Sequence, residues 1–166
     1  GADVEHLVAA RCRTLQRGDE FVLRVGAADL MSTRIHGSEV ALAEIGCANL
    51  RPDARVLIGG LGFGFTLRAA LDILPRTAAI EVAEFVPQVV DWLREPVGYG
   101  ALLDDPRVTI LVRDIVALWS ESTTRYDAIL LDVDNGPDAL TQPANRWLYE
   151  REGLAAARRA LRPGGR

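Results

Sequence analysis

Apolar and polar positions alternate with a period of two near the N-terminus and shift to strand-then-helix blocks after residue 53. Phe21-Val22-Leu23-Arg24-Val25 predicts a strand, Gly26-Ala27-Ala28-Asp29 a turn, and Leu30 to Ile35 a second strand, together a hairpin. Ser38 is expected to cap a helix through Ala48 with Ala41, Leu42 and Ile45 on one face. Arg55-Val56-Leu57-Ile58 then reads as a strand running into a glycine cluster. Leu67, Ala70, Leu71 and Leu74 follow at helical spacing, and Pro75 stops that helix. Ala78 to Val82 predicts the next strand. Pro87 opens a helix whose apolar positions are Val86, Val89, Val90 and Leu93. Val108 to Val112 and Tyr126 to Leu131 are two further strands, the last a nearly unbroken apolar run of the kind buried on both faces. Arg151 to Leu161 is a helix ending before Pro163-Gly164-Gly165.

This order predicts an α/β fold: a mostly parallel sheet with helices on both faces over residues 38–166, preceded by a β-rich segment over 1–37. The pattern calls for another strand after Arg166, so the C-terminal strands are expected to be missing and the domain C-terminally incomplete. The 126–131 strand would then be an edge unless something covers it, and an apolar edge invites pairing with another chain.

Composition narrows the chemistry. With 166 residues, 49% of them hydrophobic, the chain can build one packed core. Acidic residues outnumber basic ones 23 to 19 and no stretch is a basic block, which argues against nucleic acid as a ligand. Every basic residue is Arg. The absence of Lys excludes a Schiff-base lysine, a phosphate-loop lysine and a kinase strand lysine. Cys12 and Cys47 lie far apart, and His6 and His36 are the only histidines, so neither a disulfide framework nor a metal site is expected. No apolar run reaches membrane-spanning length and no leader precedes the first periodic segment, so the expectation is a soluble, cytoplasmic protein with no membrane partner.

The candidate site is the turn Gly59-Gly60-Leu61-Gly62-Phe63-Gly64 after the first parallel strand. Ligands of open parallel sheets sit outside the carboxyl ends of the strands, where glycines let ligand atoms approach the backbone. Phe65 stands where a dinucleotide fingerprint needs its third glycine, which weighs against a pyrophosphate cofactor. A tight turn with no ligand is the plainer reading. The strand before it and amphipathic helix after it favour binding. Glu84, near the end of the second strand, suits ribose hydroxyls, whereas its competitor Glu81 falls inside the apolar run. Asp114 ends the third strand, where a carboxylate suits the adenine amine. The last strand opens into Asp132-Val133-Asp134-Asn135-Gly136-Pro137-Asp138. Turn chemistry alone explains Asn135 to Pro137 but not Asp132, whose carboxylate would attract a cation and accept a proton.

These motifs together resemble the spermidine synthase family of aminopropyltransferases, on the Rossmann-like S-adenosylmethionine-dependent methyltransferase fold. The carriers are Val56 to Gly60 with Thr66-Leu67-Arg68, Asp105-Pro106-Arg107-Val108, Tyr126-Asp127 leading to Asp132, Leu148-Tyr149, and Ala160 to Gly165. The resemblance implies that Gly59, Gly60, Gly62 and Gly64 hold the methionine-derived part of an adenosyl sulfonium, Glu84 its ribose, and Asp114 with Ile115 its adenine. Asp132 would help position and deprotonate a small attacking amine. Asp134, Asn135, His36 and Glu39 would line the substrate side, although a histidine such as His36 more often simply precedes a helix cap. The β-rich entry resembles the family's N-terminal domain, which commonly contributes to a homodimer.

Three departures bear on the cofactor. The family's turn carries an aspartate facing the aminopropyl amine; here the turn is one residue longer and has no acid. The family's second loop aspartate falls on Asn135 or is displaced to Asp134. Its cofactor-contacting glutamine and substrate-side tyrosine fall on Thr33 and Leu42. Aminopropyl transfer from decarboxylated S-adenosylmethionine is thus the leading expectation. Methyl transfer from intact S-adenosylmethionine and a non-catalytic adenosyl binder are the alternatives.

Overall fold

The computed structural model describes residues 12–25, 27–121, 125–133 and 147–166. The entry is a three-stranded antiparallel sheet of β1 (Cys12–Arg17), β2 (Glu20–Val25) and β3 (Ala28–Ser32), not the two-stranded hairpin expected. β1 escapes the sequence pattern because Arg13, Thr14, Gln16 and Arg17 leave it almost no apolar side. The chain continues through α1 (Gly37–Cys47), β4 (Arg55–Gly59), α2 (Phe65–Ile73), β5 (Ala79–Glu84), α3 (Pro87–Arg94) and α4 (Gly100–Leu103). It ends with β6 (Val108–Val112), α5 (Ile115–Glu121), β7 (Ala128–Leu131) and α6 (Arg151–Ala160).

β4 to β7 form a parallel sheet in the order β6-β5-β4-β7. The strand after the first crossover lies on one side of β4 and the last strand on the other, so the order reverses at β4, where ligands of such sheets gather. Side chains alternate between two cores. Val56, Ile58, Ile80, Val82, Ala128 and Leu130 face one way, against Ala43 and Cys47 of α1, Leu67, Ala70 and Leu71 of α2, and Val89 and Leu93 of α3. Leu57 and Ala83 face the other, with Ile115, Leu118 and Trp119 of α5 and Ala156 and Ala160 of α6. Leu23 of the entry sheet joins the first core, with Phe21 and Met31 packed against it.

Three expectations need correction. α1 has His36, not Ser38, at its N-cap position, with no side-chain capping bond, while the Ser38 hydroxyl donates to Glu39 Oε2 (2.6 Å). Its buried face is Ala43, Gly46 and Cys47, whereas Ile45 is 73% exposed. Small residues are needed there because α1 lies close against β7: a Cβ on Gly46 would collide with the Leu130 side chain. The outer edge of β7 is also partly covered. The backbone of residues 161–166 runs alongside it, with Arg162 N donating to Tyr126 O (2.8 Å), Ile129 N to Arg166 O (2.8 Å) and Arg166 N to Asp127 O (3.1 Å).

Arg107 fastens the end of α2. Its guanidinium donates to the carbonyls of Leu71 (2.9 Å) and Leu74 (2.7 Å) and pairs with Asp105 (2.9 Å), which it holds down at about 2. The carbonyls left open at a helix C-terminus thereby find donors.

Candidate functional site

The site lies at the carboxyl ends of β4, β5 and β7. Beyond Gly59 the backbone leaves the sheet, and Gly60 N donates to Ala83 O on β5 (2.8 Å). Gly60 needs to be glycine on two counts. Its φ is +91°, and a Cβ there would run into the carbonyl oxygen of Asp132. Gly64 (φ 76°) caps α2, and its N–H closes the turn on Leu61 O (2.8 Å).

Glu84 braces this turn from the end of β5. It is 7% exposed, and its Oε2 accepts from Leu61 N (2.9 Å) while Oε1 accepts from Val86 N (2.7 Å). Burial pushes the carboxyl above its ordinary value. The backbone N–H groups of Val86, Leu61, Gly62 and Phe85 oppose that shift by favouring the charge. Glu81 does different work: its two oxygens accept from Arg55 (2.9 Å) and from the hydroxyl of buried Tyr126 (2.6 Å), on the opposite face of the sheet from Val82. Glu81, which the sequence places inside the apolar run, is thus held within the sheet by Arg55 and Tyr126, whereas Glu84 stands at the strand end against the glycine turn.

Asp132 follows β7 directly. Its N–H donates to Gly59 O (2.7 Å), continuing the β4–β7 ladder by one residue. Its Oδ2 accepts from the hydroxyl of Thr66 (2.7 Å), a residue of α2 that is 2% exposed. Burial pushes the carboxyl up to about 6; the Thr66 hydrogen bond lowers it and the nearby charge of Glu39 raises it. The first turn of α1 thus reaches the same corner. Glu39 O lies 3.5 Å from the Thr66 hydroxyl, and the His36 ring stacks on Phe65 (centroids 4.2 Å apart, 16° between planes). His36 Nδ1 is buried with no hydrogen-bond partner among the described residues. Phe65 meets Tyr99 edge-on (6.3 Å), and Arg68 lies over the Tyr99 ring (4.7 Å).

Asp114 ends up exposed, its Oδ1 accepting from Val116 N (2.8 Å), which starts α5. Ile115 is buried (6% exposed), and its side chain occupies the space a Cβ on Gly59 would need. Asp114 thus stands at the β6 end, while the Ile115 side chain reaches back to Gly59 on β4. Asp134 and Asn135 lie outside the described residues. Thr33, where the family's glutamine would fall, exchanges backbone and side-chain hydrogen bonds with Phe21, and Leu42 packs against the core.

Thr66 is the site residue that sequence reasoning misses as a contact. It is 66 residues from Asp132 along the chain, and no local spacing announces the pairing.

No cluster of His, Cys, Asp and Glu able to hold a metal occurs among the described residues, and none of their helices is long and apolar enough to cross a membrane. Cys47 is buried, and burial pushes its thiol up to about 11, which leaves it unreactive.

No family model matches the chain. Over 115 residues it is 37% identical to putrescine N-methyltransferase 4 of Nicotiana tabacum, covering 67% of this chain and 28% of that protein. Over 116 residues it is 33% identical to polyamine aminopropyltransferase 2 of Pseudomonas aeruginosa, covering 66% of this chain and 31% of that one. The chain therefore spans less than a third of the length of the curated relatives it matches. A spermidine synthase solved in complex with the transition-state analogue AdoDATO superposes with a TM-score of 0.71 at 20% identity, covering 92% of this chain and 55% of that one. Human methyltransferase-like protein 13 in complex with SAH gives 0.60 at 22% identity, covering 77% and 61%. The chain has the Rossmann-like fold that spermidine synthase shares with methyltransferases, and its sequence relatives are transferases that act in polyamine chemistry.

Proposed function

We propose that this chain is the cofactor-binding part of a spermidine synthase-like transferase, which moves an aminopropyl group from decarboxylated S-adenosylmethionine to a small amine. Asp132 carries the reading. Its carboxyl, raised to about 6, sits at the strand end beside the glycine turn and is ionised yet basic near neutrality. In the reaction the amine nitrogen attacks the carbon beside the sulfonium. The N–C bond forms, the C–S bond breaks, and its electron pair leaves with sulfur as a neutral thioether. Asp132 takes the proton the nitrogen sheds. The turn and Glu84 hold the adenosyl group so that nitrogen, carbon and sulfur stand in line. Asp114 and Ile115 take the adenine, and His36 and Glu39 face the amine, with Asp134 and Asn135, which lie outside the described residues, assigned to the same side by the family resemblance alone.

A second reading is favoured by one observation. The turn has no acid for an aminopropyl ammonium, and the relatives at 37% identity are named as N-methyltransferases. Intact S-adenosylmethionine would then donate its methyl group through the same Asp132 chemistry. Incubation with putrescine and each donor in turn, read by mass spectrometry, separates the two. An aminopropyl adduct supports the first reading and a methyl adduct the second. No product with either donor and any polyamine sinks both.

A further inference from the structure

Asp132 must change charge if it accepts a proton, and a partly buried carboxyl has to be satisfied in both states. Three observations bear on how. The Thr66 hydroxyl is 2.7 Å from Asp132 Oδ2 and 3.5 Å from the backbone carbonyl of Glu39. Thr66 is 2% exposed, so water does not compete for the hydroxyl. It stands in the first turn of α2, directly after the glycine turn, so its backbone is set by the element that carries the cofactor.

We propose that Thr66 is a positioning residue that acts as a two-state hydroxyl latch on Asp132 and couples it to the first turn of α1. With Asp132 ionised, the Thr66 hydrogen points to Oδ2. With the proton on Oδ2, the carboxyl becomes the donor, the Thr66 oxygen accepts, and the Thr66 hydrogen swings to the Glu39 carbonyl. One proton arrives on Asp132, no bond other than N–H is broken, and no buried polar atom loses its partner in either state. A hydroxyl can do this because it is donor and acceptor at once. A valine of the same shape can do neither. The direction of coupling also follows: the hydroxyl favours the ionised carboxyl, while Glu39 on α1 is the charged group that opposes it. The Thr66 hydrogen bond favours the ionised carboxylate against the burial that opposes it.

The inference rests on the reading of Asp132 as proton acceptor, but its test does not need turnover. In the full chain with 13C-labelled aspartate carboxyls, the Asp132 resonance is assigned by its loss in Asp132→Asn and titrated by NMR. Thr66→Val is expected to raise the midpoint by about one unit, the usual scale for one hydrogen bond to a charged group. Thr66→Ser keeps the hydroxyl and is expected to stay within about 0.3 unit of the parent. If Thr66→Val does not fold, Thr66→Ala serves in its place. An unchanged midpoint in the folded hydroxyl-free variant, or a Thr66→Ser midpoint shifted as far as that of Thr66→Val, overturns the latch. Where an amine is turned over, kcat falls more than about tenfold in Thr66→Val, within the range of a misplaced general base, and recovers in Thr66→Ser, with KM for the donor little changed. Lack of turnover in the parent chain would count against the proposed function and leave the titration result standing.

Discussion

Two acids stand at the strand ends on either side of β4, and they are held in opposite ways. Glu84, at the end of β5, is enclosed and tied by both oxygens to backbone N–H groups on either side of it in space: Leu61 in the glycine turn and Val86 at the start of α3. Asp132, beyond β7, has one side-chain donor, and that donor is a hydroxyl free to turn. Backbone N–H groups cannot rotate away or become acceptors, so Glu84 is locked as an acceptor and fixes the shape of the turn. Asp132 is poised to gain and lose a proton. A rigid acid suits recognition of a diol, and an acid with a reversible partner suits proton transfer.

The largest expected effect breaks the rigid side. Glu84→Gln places an amide donor against two backbone donors, so at least one buried N–H goes unsatisfied. The variant is expected to lose about 2–4 kcal/mol of stability. With Glu84 holding the ribose as proposed, methylthioadenosine affinity should drop at least about a hundredfold as the turn loosens and one acceptor oxygen is lost. Calorimetry and thermal melts read both. Next comes Asp132→Asn, expected to lower kcat for amine transfer about 10²–10⁴-fold. Methylthioadenosine binding should change less than about threefold, since Asp132 does not shape the turn with its side chain. If instead Asp132→Asn abolished nucleoside binding and Glu84→Gln spared it, the assignment of roles would be reversed. Gly60→Ala tests the junction between the two sides. With φ at +91° and the Asp132 carbonyl in the way, it is expected to cost about 2 kcal/mol and to lower kcat by displacing the β7 end.

How much of this contrast is legible in the sequence follows the same division. The strand–turn–helix periodicity places the glycine turn, and the extent of the apolar run sets Glu81 inside the strand and Glu84 near its end, because both signals are local. Asp132 stands out as an acid directly at a strand end. The face of α1 is not legible: hydrophobicity points to Ile45, but close contact with Leu130 selects Gly46 and Ala43, a demand of tertiary packing on small residues. β1 carries too little alternation to read, and the short helices α4 and α5 offer too few turns for a period. Thr66 to Asp132 is a contact across the topological switch, so only the fold reveals it. Asp134 and Asn135, read from the sequence as substrate-side groups, lie outside the described residues.

The smallest effect is on stability against pH. Asp132 titrates near 6 when folded against an ordinary 3.8, so the folded state holds this proton more tightly. Its contribution is fully present below about pH 4 and is lost as pH rises through 6. The shift bounds the loss at about 3 kcal/mol, and the remaining exposure of the carboxyl reduces it to about 1–2 kcal/mol. Asp132→Asn removes that loss and is therefore expected to raise Tm at pH 8 by about 3–6 °C while leaving Tm at pH 4 nearly unchanged. An equal shift at both pH values would mean that Asp132 is not a strained acid.

The central claim, that Asp132 takes the proton of the attacking amine, is met most directly by the pH profile of kcat/KM, which reports the free enzyme, for the amine and donor that give product. The account predicts an acid limb with its midpoint near 6, absent from the residual activity of Asp132→Asn. A profile with no limb between pH 5 and 7, or a limb that survives unchanged in Asp132→Asn, would contradict it.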